Sequence, residues 1–116
     1  MLTSFGKLCK KIRVDNNQVL YDMANVLGVK PSFLSSVENG KKNVPDSWCE
    51  IIREEYGLNE KDYESLLEAK ELSKTQVKLN LVGRVDEDRA LAFSFARTFD
   101  GLSSEQKKKI YDILNE

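Results

Sequence analysis

Residues 23–40 constrain the fold of this chain more than any other stretch. The helix that leads into the stretch has its apolar positions at helical spacing, at Leu20, Met23, Ala24 and Leu27. Gly28 is suited to end that helix in a left-handed conformation, and Pro31 suits the first turn of the next one. The pattern predicts two short helices joined by a turn of about three residues, with the polar face of the second helix protruding.

Three more helices are predicted around this pair, from apolar residues at intervals of three and four. The first, capped by Thr3 or Ser4, has Phe5, Leu8, Cys9 and Ile12 on one stripe. The fourth carries Trp48, Ile51, Ile52 and Tyr56. The fifth, with Asn59 at its start, carries Tyr63, Leu66, Leu67 and Leu72. We therefore expect an all-α domain of five helices over residues 1–74.

Residues 75–116 have a different pattern. Val77, Leu79 and Leu81 alternate with polar residues, which predicts one short strand, and two helices are predicted over about residues 86–99 and 104–115. A lone strand needs a partner, and the chain has no second one of similar quality. We expect a two-fold-related copy to supply it, which makes this extension the dimerisation element. Its expected interface residues are Val77, Leu79, Leu81, Phe95 and Phe99.

Composition excludes several classes of function. The chain has no histidine, which removes Ser-His and Cys-His catalysis and the commonest zinc ligand. Cys9 and Cys49 are its only cysteines, lie forty positions apart and are expected to be free thiols. No glycine-rich phosphate loop or EF-hand spacing is present. We expect a protein that is not an enzyme, with no metal and no cofactor.

The chain is also expected to have no membrane partner. No apolar run approaches the roughly 20 residues that a membrane-spanning helix needs. The first residues lack the apolar region of a secretory signal, so the cytoplasm is the expected compartment.

The net charge of −1 conceals an asymmetry along the chain. Residues 1–45 contain seven basic and three acidic side chains, whereas the remainder contains eleven basic and sixteen acidic ones. A basic half joined to an acidic half is typical of a protein in which one part faces phosphate. Chance unevenness in a small domain is the alternative, and charge alone does not decide between them.

Residues 23–40 resemble the helix-turn-helix of the lambda-repressor-like, Cro/C1-type (XRE) family. The matching features are the small Ala24, the turn at Gly28-Val29, Leu34-Ser35, and the closing Glu38-Asn39-Gly40. The resemblance covers roughly residues 5–70. It implies a five-helix, lambda-repressor-like DNA-binding domain in a repressor-like transcriptional regulator. Such a protein would bind double-stranded DNA at an inverted-repeat operator as a homodimer.

The resemblance also implies roles for individual residues. Ser32 and Ser36 match base-contacting positions, and Ser35 lies close by on the same helix. The positions expected to contact the DNA backbone are Lys30, Asn39, Gly40, Lys41, Lys42 and Asn43. Arg13 and Glu38 match a buried ion pair that joins the first and third helices.

Two positions depart from the family pattern. The second helix usually begins with a glutamine that contacts phosphate, and this chain has Leu20 there. The residue that caps the recognition helix is often Ser or Thr, and here it is Lys30. Because serine hydroxyls can pair with any base, the sequence predicts how the helix docks better than which operator it selects.

Alternatives remain open for several of these features. The three serines could be a solvated helix face, and Lys41-Lys42 a chance surface pair. Phe33, Leu34, Trp48 and Tyr56 are interpreted as core residues, whereas Phe93, Phe95 and Phe99 are interpreted as core or dimer interface. The second hypothesis for function is an antitoxin-like protein-interaction module, whose acidic C-terminal part binds a partner protein.

Overall fold

A computed structural model describes all 116 residues, and every regular element in it is helical. The helices are α1 (Ser4–Asp15), α2 (Leu20–Leu27), α3 (Pro31–Glu38), α4 (Trp48–Tyr56), α5 (Glu60–Leu72), α6 (Asp86–Thr98) and α7 (Ser104–Leu114), with a short 3₁₀ turn at Phe99–Gly101. The all-α prediction is confirmed. None of the helices combines the length and apolar character needed to cross a membrane.

The chain forms two compact units, an N-terminal unit (Met1–Val77) and a C-terminal unit (Lys78–Glu116). The division falls three residues beyond the boundary expected from the sequence. The N-terminal unit contains α1 to α5, and the C-terminal unit contains α6, the 3₁₀ turn and α7.

Side-chain caps begin three of the helices, two of them at Thr3 and Asn59, where the sequence predicts a helix start. Thr3 Oγ1 accepts a hydrogen bond from the Gly6 N–H at 3.1 Å, and Asn59 Oδ1 accepts one from the Asp62 N–H at 2.8 Å. Ser103 Oγ accepts one from the Gln106 N–H at 3.1 Å. Each cap satisfies an amide that has no partner within its own helix. Gly28 ends α2 with a φ of 70°, a conformation that favours glycine.

The core of the N-terminal unit lies where its five helices meet. Helix α1 packs against α3 and α5, and α2 packs against α3 and α4. The buried apolar residues are Phe5, Cys9, Met23, Ala24, Leu27, Leu34, Val37, Val44, Trp48, Cys49, Ile52, Leu66 and Ala69. Both cysteines are free and buried, and burial raises the pKa of each thiol.

Helices α1 and α3 approach closely at Gly6. A Cβ atom at this position would overlap the main-chain carbonyl group of Glu38. Glycine is therefore required here by the close approach of two backbones, since its φ is not positive. This contact joins the first turn of α1 to the last turn of α3.

No strand forms at Val77, Leu79 and Leu81, so the predicted strand is not confirmed. A strand needs a hydrogen-bonded neighbour, and the single chain supplies none. The segment instead satisfies part of its backbone locally. The carbonyl of Leu81 accepts hydrogen bonds from Arg89 Nη2 at 2.8 Å and from the Arg84 N–H at 3.1 Å, around a turn at Gly83.

Candidate nucleic-acid interface

Helix α3 has one face in the core and one at the surface. Leu34 and Val37 are completely buried among the residues of α1, α2 and α4. Ser32 is exposed, and Ser35 and Ser36 are half-buried. The spacing of Ser32 and Ser36, four residues apart, places both hydroxyls on one side of the helix.

A buried ion pair holds α3 against α1. Arg13 Nη1 and Nη2 donate to Glu38 Oε2 and Oε1 at 2.6 and 3.0 Å, and Nη1 also lies 3.4 Å from the Met23 sulfur. Burial lowers the pKa of Arg13, but the hydrogen bonds and charge of Glu38 outweigh it and raise that pKa above its usual value. The pair that the family resemblance implies is present. Because it is bidentate and buried, it fixes the angle of α3 as well as its distance from α1.

The main chain of Glu38 also takes part in holding α3. Its carbonyl oxygen accepts hydrogen bonds from the Thr3 N–H at 2.9 Å and from Thr3 Oγ1 at 3.0 Å. Thr3 therefore caps α1 and fastens the end of α3 at the same time. The sequence indicates the cap but not this second role, because no local pattern reveals a partner 35 positions away.

Beyond α3, Asn39 and Asn43 make contacts within the protein. Asn39 Nδ2 donates to the Ser35 carbonyl at 2.8 Å, with Ser35 Oγ at 3.5 Å. Asn43 Oδ1 accepts from the Thr75 N–H at 3.1 Å and from Thr75 Oγ1 at 3.2 Å. Asn43 thus fastens the loop after α3 to the end of the N-terminal unit, a role that the sequence did not indicate.

An open hollow lies on the surface of α3, with a volume of about 480 Å³. We call it the α3 hollow. It is lined by Val29, Lys30, Ser32, Phe33, Ser36 and Lys42. The hollow brings two of the expected base-contacting residues next to two of the expected backbone-contacting ones. Lys41 is also exposed, directly before Lys42. No acidic side chain lines this surface.

Phe33 forms the aromatic part of the hollow. Its ring meets the Trp48 ring nearly edge-on, with centroids 5.9 Å apart, and Lys42 Nζ lies 5.4 Å from the Phe33 centroid. Phe33 is half-buried, unlike Leu34 and Trp48, so it lies at the edge of the core rather than inside it. An ammonium group above a ring face is attracted electrostatically by the ring, and this attraction holds the Lys42 ammonium group in place.

The residues expected to form the dimer interface lie outside this surface. A second groove, of about 730 Å³, lies in the C-terminal unit, and we call it the α6–α7 groove. Its apolar lining residues are Leu79, Leu81, Leu91, Phe95, Ile110 and Leu114. Phe99 contacts Phe95 with ring centroids 5.5 Å apart. Val77 belongs to the N-terminal unit and does not line the groove. Leu79, Leu91 and Leu114 are each about 70% exposed.

No three His, Cys, Asp or Glu side chains converge on a point that could hold a metal ion. The features that the structure assembles on α3 are hydroxyl groups, lysine ammonium groups and one aromatic ring. Comparison of the chain with protein-family models, curated proteins and solved structures gave no match.

Proposed function

We propose that this chain is a repressor-like transcriptional regulator that binds specific DNA sequences through α3. The observation that carries the proposal is the surface of α3, where Ser32 and Ser36 share a hollow with Lys30 and Lys42 and no acidic side chain lines it. Hydroxyls can pair with base edges, and lysines can neutralise phosphates. We further propose that α1 to α5 form a lambda-repressor-like domain and that the protein acts in the cytoplasm.

The dimensions of α3 suit this function. It is eight residues long, with Ser32 exposed and Ser36 half-buried at its surface. The B-DNA major groove is about 12 Å wide and admits a helix. The ion pair between Arg13 and Glu38 would keep the angle of the helix constant as it enters the groove. Lys41 and Lys42 follow the end of α3, where a phosphate backbone would pass.

A helix of this length contacts too few bases to select a genomic site alone, so we propose that a homodimer binds an inverted repeat. The second copy would cover the α6–α7 groove. The C-terminal unit has seven acidic and seven basic side chains, so two copies would not repel one another.

The α6–α7 groove is also what favours the second candidate function, an antitoxin-like module that binds a different protein. Light scattering on the full-length chain distinguishes the two. We expect a dimer, and we expect Leu91→Glu, which places a charge in the groove, to yield monomers. Val82→Glu is the matched control, because Val82 is 87% exposed but does not line the groove. A monomeric wild-type chain would favour the second candidate.

DNA binding is tested by selecting duplexes from a random 20-base-pair pool with the full-length chain. Replacing Lys41 and Lys42 with alanine should weaken binding to all sequences alike. It should also reduce the slope of log K against log salt by up to about 1.8, since each lost phosphate contact removes about 0.9. The control, Lys61→Ala with Lys74→Ala, removes the same charge from exposed positions of the acidic half. An unchanged slope in the first variant would exclude the loop from the interface.

Base selection is tested on the duplexes obtained in this way. Replacing Ser32 or Ser36 with a larger side chain should change which base is preferred at one operator position, by about 1–3 kcal/mol per lost contact. A variant that loses affinity equally for the selected duplex and for random DNA would contradict the assignment of these serines to bases.

A further inference from the structure

We infer that the α3 hollow accepts the 5-methyl group of a thymine, which makes Phe33 a specificity-determining residue. The inference deepens the proposed function and rests on it. It assigns to Phe33 a role beyond the core packing that the sequence indicates.

The hollow joins an apolar floor to a polar and basic rim. Val29 and Phe33 are half-buried and form the floor, whereas Ser32 and Lys42 stand at the rim. The Phe33 ring meets the buried Trp48 ring nearly edge-on, Lys42 Nζ lies 5.4 Å from its centroid, and the ring remains partly exposed in the hollow. Apolar surface is thus available within one side chain of the hydroxyls proposed to contact bases.

Thymine matches this arrangement because of the chemistry of the major groove. Among the four base pairs, the thymine methyl is the one apolar group presented on the major-groove edge, where the other groups are hydrogen-bond donors and acceptors. Ser32 and Ser36 can pair with any base and discriminate weakly on their own. A hollow that accepts one methyl group would supply the discrimination that the hydroxyls lack.

The charge of the rim favours nucleic acid over an apolar small molecule or peptide. Lys30 and Lys42 border the hollow without an acidic neighbour, and Lys42 is held above the Phe33 ring at 5.4 Å. Duplex DNA presents a methyl group and phosphates to one surface together. An uncharged apolar ligand would fill the floor but gain nothing from the two ammonium groups.

The test compares thymine with uracil, which differs only by the absent methyl group. Duplexes selected by the full-length chain are resynthesised with each thymine replaced singly by uracil. We expect one position in each half-site at which this replacement weakens binding about fourfold, the effect of leaving one methyl-sized group unburied. In Phe33→Ala the ratio of thymine to uracil affinity at that position should fall to about one, whereas Phe33→Leu should retain most of it.

The ratio is measured for one variant on two duplexes, so a smaller folded fraction in Phe33→Ala cancels from it. Phe93→Ala is the matched control, because it removes a half-exposed phenyl ring from α6, outside the α3 hollow. The inference is overturned by selected duplexes in which no uracil replacement weakens binding. It is also overturned if Phe33→Ala keeps the same ratio of thymine to uracil affinity as the wild type. Failure of the chain to select any duplex would instead overturn the proposed function.

Discussion

The two units of this protein are built from helices of similar sequence pattern but differ completely in burial. The N-terminal unit buries thirteen apolar side chains together with Arg13, Glu38 and Ser73, whereas neither α6 nor α7 has a buried residue. Helix periodicity and caps are present in both. The difference shows that an amphipathic pattern determines where helices form, while burial requires enough helices to surround a common interior. Five helices achieve this in the N-terminal unit, and two do not.

The largest effect that tests this contrast is expected at the ion pair. Glu38→Gln should lower the free energy of unfolding by about 3–5 kcal/mol, because Arg13 would remain buried without a counter-charge. Urea denaturation of the full-length chain measures it, with Glu54→Gln at an exposed position as the control. Replacing both partners, as Arg13→Met with Glu38→Leu, should recover much of the loss. A change below 1 kcal/mol in Glu38→Gln would show that Arg13 reaches water.

A matched pair of leucines compares the two units directly. Leu66 in α5 is 1% exposed and Leu91 in α6 is 72% exposed. Leu66→Ala should lower the free energy of unfolding by about 2–5 kcal/mol, since it leaves a cavity in the core. Leu91→Ala should change it by less than about 0.5 kcal/mol at concentrations where the chain is monomeric. Equal effects in dilute protein would mean that α6 is buried, contrary to the structure.

Two glycines provide the next comparison. Gly6→Ala places a methyl group against the backbone of Glu38, whereas a Cβ at Gly101 meets nothing within 4 Å. We expect Gly6→Ala to destabilise by about 1–3 kcal/mol, as overpacked sites do. Gly101→Ala should be neutral or slightly stabilising. The midpoint of thermal unfolding separates the two outcomes, and a neutral Gly6→Ala would show that α1 and α3 can move apart.

The smallest effect concerns the Cys9 thiol, whose pKa is raised by burial in the core. The folded state therefore holds the thiol proton more tightly than the unfolded state, whose thiol pKa is 9.0. The free energy of unfolding is unaffected by this difference below pH 9.0 and falls as the pH rises above it. Between pH 9 and 10 the wild type should therefore lose about 1 kcal/mol more than Cys9→Ala, because only its unfolded state releases the thiol proton. Parallel stability curves for the two proteins over this range would contradict the assignment.

The positions at which the helices begin and end follow from short-range sequence signals. Thr3, Asn59 and Ser103 mark helix starts and Gly28 marks a helix end, because capping depends on residues only a few positions apart. The strand predicted at Val77, Leu79 and Leu81 is not confirmed. Strand formation there depends on a hydrogen-bonded neighbour that the single chain lacks and that a second copy was expected to supply.

For the candidate site, the family pattern anticipates the pair of Arg13 with Glu38, which the structure contains, whereas the roles of the α3 serines stay predictions. Long-range contacts are what the pattern misses. It does not reveal that Gly6 allows two backbones to meet, that Asn43 binds Thr75, or that Phe33 lies at the edge of the core. Each of these depends on the packing of separate helices, which residue spacing alone does not specify.

The two attachments of Glu38 also have a mechanical consequence. Its side chain is bound to Arg13 and its carbonyl to Thr3, near opposite ends of α1, so sliding or rotation of α3 would break at least one of these hydrogen bonds. A helix held in this way loses little conformational entropy on association, because its geometry is already fixed. In the proposed complex, any mismatch between helix and groove would then be accommodated by bending or twisting of the DNA. Operators would be ranked partly by their stiffness, at base pairs that the protein never touches.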